Sequence, residues 1–223
     1  MKTKSPPKAR ILLVEDHQIV RQGLSRLINM EVDLEVCGEA SNAGEALQQI
    51  PRLKPDLVLT DISMSGMNGI EFLKHLKARH PDVPAVVLSM HDEALYAERA
   101  LRAGALGFVM KKESSEEMLT ALRKARRGEH HVSQKVGGRI FQLFLQSKKP
   151  AESSVSLLSD RELEVFELLG RGRGSKEIAA ELHLSVKTVD THRTHIKQKL
   201  NLHSFTELIQ HAVQWLERQT KSD

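Results

Sequence analysis

Short apolar runs alternate with longer amphipathic ones through the first 130 residues. The segments "ARILLVED", "DLEVCGEA", "DLVLTD", "AVVLSM" and "GFVMKK" read as five short strands, three of them apolar almost throughout. Between them, "HQIVRQGLSRLINM" places Ile19, Val20, Leu24, Leu27 and Ile28 on one helical stripe, and "SNAGEALQQI" opens on Ser41 as a helix cap. "GIEFLKHLKAR", "EALYAERALRAG" and "SSEEMLTALRKARRG" complete the helical series. Five strands alternating with five helices predict a parallel α/β sheet covered on both faces, with right-handed crossovers.

Beyond residue 131 the pattern changes. "HHVSQKVGGRIFQLFLQ" spaces Val136, Ile140, Phe141, Phe144 and Leu145 as an amphipathic connector, and "SKKPAESSVS" reads as a polar, flexible linker. From Leu158 strand patterns disappear. Four helices follow in "SDRELEVFELLGRG", "SKEIAAELH", "SVKTVDTHRTHIKQKL" and "SFTELIQHAVQWLERQ", each opening on a Ser suited to capping. The expected division is a first domain over 9–130, a linker with a helix over 131–156, and an all-α domain over 157–219.

The 223 residues suit two domains, and no apolar run approaches the roughly 20 residues needed to span a bilayer. The basic N-terminus leads into a strand pattern without a signal-peptide core, so a cytoplasmic location is expected. One cysteine, Cys37, excludes an intramolecular disulfide and is expected as a small buried residue. The net charge of +4 says little about partners, because it is not where a nucleic-acid surface would sit. Residues 1–130 hold 19 Lys+Arg against 18 Asp+Glu, residues 131–156 hold 4 against 1, and residues 157–223 hold 10 against 10. Any DNA-binding surface must therefore come from local patterning.

The strand ends carry chemistry. In a parallel sheet, ligands bind beyond the carboxyl ends of the strands. Here the first run ends in Glu15-Asp16, the third in Asp61, the fourth in Ser89 and the fifth in Lys111. Taken singly, each is an ordinary strand-end residue; together they place three acids, a hydroxyl and an ammonium on one rim. Clustered carboxylates repel unless a cation joins them, and Mg²⁺ suits a site with few protein oxygens that must also admit a phosphate. Asp61 is then a candidate nucleophile toward phosphorus, forming an acyl phosphate, with Lys111 and Ser89 meeting the phosphoryl oxygens.

Through "LLVEDH", "PDLVLTDISMSGMNG", "VVLSM" and "AGALGFVMKK", residues 9–130 resemble a response-regulator receiver domain with a flavodoxin-like fold. The resemblance implies that Asp61 is the phosphoacceptor. It implies that Glu15, Asp16 and Asp61 hold Mg²⁺ with the backbone carbonyl of Ser63, and that Ser89 and Phe108 form the switch pair. Ser65 stands where the family often has proline, and Ser63 and His91 occupy positions that tune phosphate lifetime there.

In the helical half, "SKEIAAELHLSVKTVDTHRTHIKQKL" reads as helix, tight turn, helix. The second helix carries Lys187, Arg193, Lys197 and Lys199 against Asp190 alone, with Val189, Ile196 and Leu200 toward the core. Such a helix can enter a major groove, with cations on phosphates and short side chains near base edges. Through Leu158-Ser159, Arg161-Glu162, Lys176-Glu177-Ile178-Ala179, Thr188-Val189, His192 and Lys199-Leu200, the segment closely resembles the LuxR-type helix-turn-helix domain. Receiver plus this domain is the architecture of NarL/FixJ response regulators. The resemblance implies that Asp190, Thr191 and Thr194 face bases, and that Lys187, Thr188, Arg193 and Lys197 meet phosphates. Asp190 departs from the cationic or amide residues common there; it can accept from a cytosine amino group or simply repel the backbone.

The implied protein is a two-component transcription regulator, not an enzyme. Its expected partners are a sensor histidine kinase, double-stranded promoter DNA, RNA polymerase and a second copy of itself when phosphorylated, with no membrane. Three other readings compete. An aspartyl-phosphate phosphohydrolase of the haloacid dehalogenase type needs an acid two residues past the nucleophile, where this chain has Ser63. A phosphate-independent regulator would have no need of the acidic rim, Ser89 and Lys111. A small-molecule-sensing LuxR receptor does not fit the first half.

Overall fold

Five short segments become the strands β1 (Ala9–Val14), β2 (Leu34–Ala40), β3 (Leu57–Thr60), β4 (Ala85–Ser89) and β5 (Gly107–Met110). The structure is a computed structural model that describes residues 7–91, 93–138 and 154–220. All strand pairs are parallel, in the order β2-β1-β3-β4-β5. β3, β4 and β5 are buried along their whole length, which explains their near-continuous apolar sequences. The strands are linked by α1 (Gln18–Asn29), α2 (Ala43–Leu53), α3 (Gly69–Arg79) and α4 (Glu93–Ala103), and α5 (Ser115–Arg126) follows β5.

Alternation along the strands gives each face its own set of side chains. Ile11, Leu13, Leu57, Leu59, Val86, Leu88 and Val109 pack with Ile28 of α1 and with Met118, Leu119, Leu122 and Ala125 of α5. Val87, Ser89, Phe108 and Met110 share the opposite face, because Val87 registers against Phe108 and Ser89 against Met110. All four are buried.

Three local expectations are corrected. Only part of the predicted α1 stripe faces inward: Ile28 is fully buried and Leu24 packs on the core, but Ile19 is 85% exposed. The cap of α2 is Asn42, whose side chain accepts from the Glu45 amide. Ser41 stands outside the helix, with its amide and hydroxyl both donating to the Glu45 carboxylate. Cys37 is half-buried rather than buried, at an irregularity where Ile11 pairs with Val36 but Leu12 with Gly38. Burial still pushes its thiol pKa up, which disfavours the reactive thiolate.

After α5 the chain returns to the sheet. The His131 amide donates to the Leu106 carbonyl at 2.8 Å, and the Phe108 amide to the His131 carbonyl at 2.9 Å, a one-residue parallel bridge on the free edge of β5. The His131 ring lies 3.0 Å from Glu117 of α5, and the Ser133 amide donates to Glu93 of α4 at 3.0 Å. Residues 134–138 then begin a helix with Val136 buried. The rest of the expected connector and residues 147–153 of the polar linker lie outside the described residues; the end of that linker, 154–156, is not a flexible stretch but part of a 3-10 turn with Val155 buried.

The chain divides into two compact units, 1–144 and 145–223. In the second, a 3-10 turn (Ser154–Leu157) precedes α6 (Asp160–Gly170), α7 (Ser175–Glu181), α8 (Val186–Lys199) and α9 (Phe205–Thr220). Ser159 caps α6 in a full capping box with Glu162, and Ser185 caps α8. α7 differs from expectation: its cap is Gly174, whose amide donates to Glu177, so Ser175 sits inside the helix with its hydroxyl available. Phe166 of α6 packs against Trp215 of α9 with ring centroids 5.3 Å apart. Gly170 permits this crossing, because a Cβ there would lie 2.6 Å from Leu216 Cδ1 and 2.7 Å from the Ala212 carbonyl oxygen.

Candidate functional site

The carboxyl ends of β1, β3, β4 and β5 meet at one rim. β3 is parallel-paired to β1, and the Asp61 amide extends that ladder by donating to the Val14 carbonyl at 3.0 Å. Asp61 is thus fixed by the sheet just past its last strand residue. Its carboxylate is held from two sides. Oδ1 accepts from the Ile62 amide at 2.7 Å, and Oδ2 accepts from the Lys111 ammonium at 2.7 Å.

Lys111 also donates to Glu15 Oε2 at 2.7 Å, so one ammonium joins acids from two strands. The Lys111 amide donates to the Ser89 carbonyl, which ties the fourth and fifth strand ends together. Glu15 and Asp61 are buried, at 1% and 5% exposure. Burial pushes the Asp61 carboxyl above its ordinary range; Lys111 opposes this and Glu15 adds to it. Burial disfavours the Lys111 ammonium, yet Asp61 and Glu15 outweigh it and raise its pKa.

Asp16 stands beside Glu15, with a side chain that is 9% exposed, and is joined by a residue the sequence reading did not include. His17 Nδ1 lies 2.8 Å from Asp16 Oδ1 and 3.2 Å from Glu15 Oε1, so Glu15, Asp16 and His17 offer ligand atoms within 4.8 Å of one another. Periodicity gave no signal for His17. Two adjacent acids followed at once by an imidazole was the sign available. The acidic donors are hard carboxylate oxygens, which fit a hard divalent cation.

Ser89 is fully buried, and its hydroxyl accepts from the His91 amide at 3.0 Å. His91 Nε2 is 2.6 Å from the Ser63 hydroxyl, a link between the loops after β3 and β4. Phe108 lies on the same sheet face as Ser89, one strand over. Gly69 lets α3 begin directly against the loop after β3: a Cβ there would lie 2.0 Å from the Asp61 carbonyl oxygen. Chemically, such an arrangement places a buried carboxylate beside a cation and a hydroxyl, which suits it to accept a phosphoryl group.

The second unit holds a helix-turn-helix. α7 and α8 are joined through His183, which adopts φ 51°, and the Leu184 amide donates to the Ala179 carbonyl. Val189, Ile196 and Leu200 are buried, as the spacing required. Lys187, Asp190 and Thr191 are exposed on the opposite side, with Thr188 and Thr194 half-buried beside them. The Thr191 hydroxyl donates to the Lys187 carbonyl and that of Thr194 to the Asp190 carbonyl, each at 2.9 Å.

The cations divide into two sets. Lys187 is exposed, and Lys197 is half-buried with its ammonium 5.3 Å from the Phe205 ring centroid. Lys199 is committed elsewhere, at 2.6 Å from Glu162 of α6. Arg193 turns toward the domain: its guanidinium lies 4.7 Å over the Phe205 ring, donates to the Ser175 hydroxyl at 2.5 Å and approaches Asp190 Oδ1 at 3.4 Å.

Comparison with known proteins finds a match in each half of the chain. Residues 11–123 match the response regulator receiver domain, and residues 156–212 match the bacterial regulatory proteins of the luxR family. The chain is 36% identical over 209 residues to the oxygen regulatory protein NreC of Staphylococcus haemolyticus, covering 92% of this chain and 96% of that one. Among solved structures, a LuxR-family response regulator from Aurantimonas matches with 32% identity and a TM-score of 0.58, over 62% of this chain and 99% of its own. RcsB of Salmonella typhimurium shares the fold, with a TM-score of 0.65 at 23% identity over 94% of this chain and 98% of that one. The chain belongs to the response regulators with a LuxR-type DNA-binding domain, and it is a two-component transcription regulator. The partners of that family are histidine kinases and promoter DNA. Among the described residues, no helix is long and apolar enough to cross a membrane.

Proposed function

We propose that Asp61 is the phosphoacceptor through which a sensor histidine kinase controls DNA binding by this chain. The observation that carries the reading is the sharing of Lys111 between Asp61 and Glu15 at 2.7 Å to each. An Asp61 carboxylate oxygen forms the new O–P bond as the N–P bond of the kinase phosphohistidine breaks, and the imidazole keeps the electron pair and takes up a proton. Lys111, already aimed at Asp61, follows the added negative charge onto the phosphoryl oxygens. The Ser89 hydroxyl turns to donate to the same oxygens, and Phe108, on the same face, moves into the space it leaves. Glu15, Asp16 and Asp61, with the backbone carbonyl of Ser63, are the residues that would hold Mg²⁺, which supplies charge neutralisation at the phosphoryl group.

Output lies in α8. Lys187, Thr188 and Lys197 meet phosphates, and Asp190, Thr191 and Thr194 face base edges, in a homodimer formed on phosphorylation and acting in the cytoplasm with RNA polymerase. The resemblance implies a phosphate contact for Arg193, but its guanidinium is turned over the Phe205 ring and onto the Ser175 hydroxyl. The chain performs phosphotransfer on itself and is not an enzyme.

The test is incorporation of phosphate from a small-molecule phosphodonor with Mg²⁺, wild type beside Asp61→Asn, followed by intact mass and by oligomeric state. One phosphate on wild type alone, with a shift to dimer, is expected. No incorporation with any donor would overturn the reading.

A further inference from the structure

We propose that Asp190 reads a cytosine in the operator, and that Ser175 and Arg193 are positioning residues that aim its carboxylate. The inference rests on the reading of α8 as the helix that enters the groove.

Two helices cooperate to hold this side chain. The Ser175 hydroxyl, freed from capping because Gly174 caps α7, donates to Asp190 Oδ1 at 2.9 Å. The same hydroxyl oxygen accepts from Arg193, whose guanidinium is also 3.4 Å from Oδ1 and is braced over the Phe205 ring. Asp190 is thus tied by one oxygen. Among the described residues nothing binds Oδ2, and the side chain is 55% exposed.

A carboxylate can only accept. In the major groove, guanine presents N7 and O6 and thymine presents O4, all acceptors that repel it. Adenine offers its amino group beside the N7 acceptor, whereas cytosine offers an amino donor with no neighbouring acceptor on its edge. An acceptor held rigidly in the groove therefore favours cytosine. The hydroxyls of Thr191 and Thr194 do not compete, since both donate to carbonyls of their own helix.

An acid at a DNA surface is repelled by phosphates. Arg193 offsets this repulsion by placing a cation beside the carboxylate. That same placement takes Arg193 away from the backbone, which separates this assignment from a phosphate-binding role. A phosphate contact weakens binding to every sequence alike and contributes to the salt dependence of affinity, whereas a positioning contact alters one base preference.

The experiment is selection from a pool of randomised duplex DNA with the full chain, treated with a small-molecule phosphodonor and Mg²⁺. Wild type is run beside Asp190→Ala, Asp190→Asn, Ser175→Ala and Arg193→Met. Wild type is expected to favour cytosine by about tenfold at one position of each half-site. Asp190→Ala should lose that preference while the other positions of the motif stand, and Asp190→Asn should move it toward adenine. Ser175→Ala and Arg193→Met should flatten the same position, with Arg193→Met leaving the salt slope of affinity unchanged. A motif identical in wild type and Asp190→Ala would overturn the proposal. So would a uniform loss of affinity in Arg193→Met with a salt slope reduced by about one. Failure of wild type to select any motif would instead overturn the reading of α8 as a DNA-binding helix, and this assignment with it.

Discussion

The ammonium of Lys111 lies 2.7 Å from Asp61 Oδ2 and 2.7 Å from Glu15 Oε2, one cation shared by two buried acids from different strands. Without it, two carboxylates would face each other in a poorly solvated rim. Lys111→Met should therefore destabilise the first unit by about 3 kcal/mol in the presence of a chelator. Added Mg²⁺ should recover part of that loss by supplying the missing positive charge. Urea titrations with and without the ion measure both effects, and midpoints equal to wild type would count against the shared-cation account.

Asp61→Asn is expected to act in the opposite direction. Burial and Glu15 raise the Asp61 pKa from its ordinary 3.8 despite Lys111, so the folded chain holds that proton more tightly than the unfolded one. The stability this group contributes is full below 3.8 and is lost as pH rises through the raised folded value. At neutral pH without metal, the charged form is a burden. Thermal melts in chelator should place Asp61→Asn at or above wild type at pH 7, with the gap closing on acidification. A variant melting well below wild type at pH 7 would show that Lys111 outweighs burial.

Glu162 has the reverse sign. Burial alone would raise its pKa, but Lys199 and the Ser159 amide and hydroxyl overcome that and hold it below 4.5. Its stabilisation is present above 4.5 and lost as pH falls through the lowered folded value. Glu162→Gln should therefore remove part of the acid sensitivity of the second unit, read by hydrogen exchange over residues 157–220. Ser159→Ala removes the other half of the capping box and should cost about 1 kcal/mol at neutral pH.

Gly170→Ala tests the crossing of α6 and α9. The new methyl would meet both Leu216 and the Ala212 backbone at under 3 Å, and backbone cannot rotate aside. A loss of roughly 1–3 kcal/mol is expected in the second unit, with weakened DNA binding. Phosphate uptake at the first unit should be unchanged, which circular dichroism melts and a phosphorylation assay on the same sample would check.

The strand-end chemistry was legible in the sequence because parallel strands buried on both faces are written as nearly unbroken apolar runs. Asp61, Ser89 and Lys111 each follow such a run, so their convergence was a matter of topology. Helix caps were legible to within one residue. Glu45 reaches back to Ser41 and leaves the cap to Asn42, and Glu177 binds the Gly174 amide and leaves Ser175 inside its helix. Both displacements depend on where a long acidic side chain finds its partner, which residue type alone does not specify. Arg193 was harder still: a cation on a recognition helix suggests phosphate, and only the positions of Phe205 and Ser175 reveal that it points inward. His17 and His131 lack periodic neighbours that would have marked them.

His131 gives the β5 margin of the sheet a seal one peptide wide. An outermost strand left open displays donors and acceptors to any other chain. Here the Phe108 amide and the Leu106 carbonyl are taken by a residue that lies 20 positions or more downstream, at the very start of the tether to the second unit. A fragment trimmed after residue 130 would keep all five strands and α1 to α5 yet bare that margin, and should self-associate more readily than one extended to residue 138. The tether thus doubles as an edge cover: the stretch that leads out of the receiver domain occupies hydrogen-bonding groups along β5.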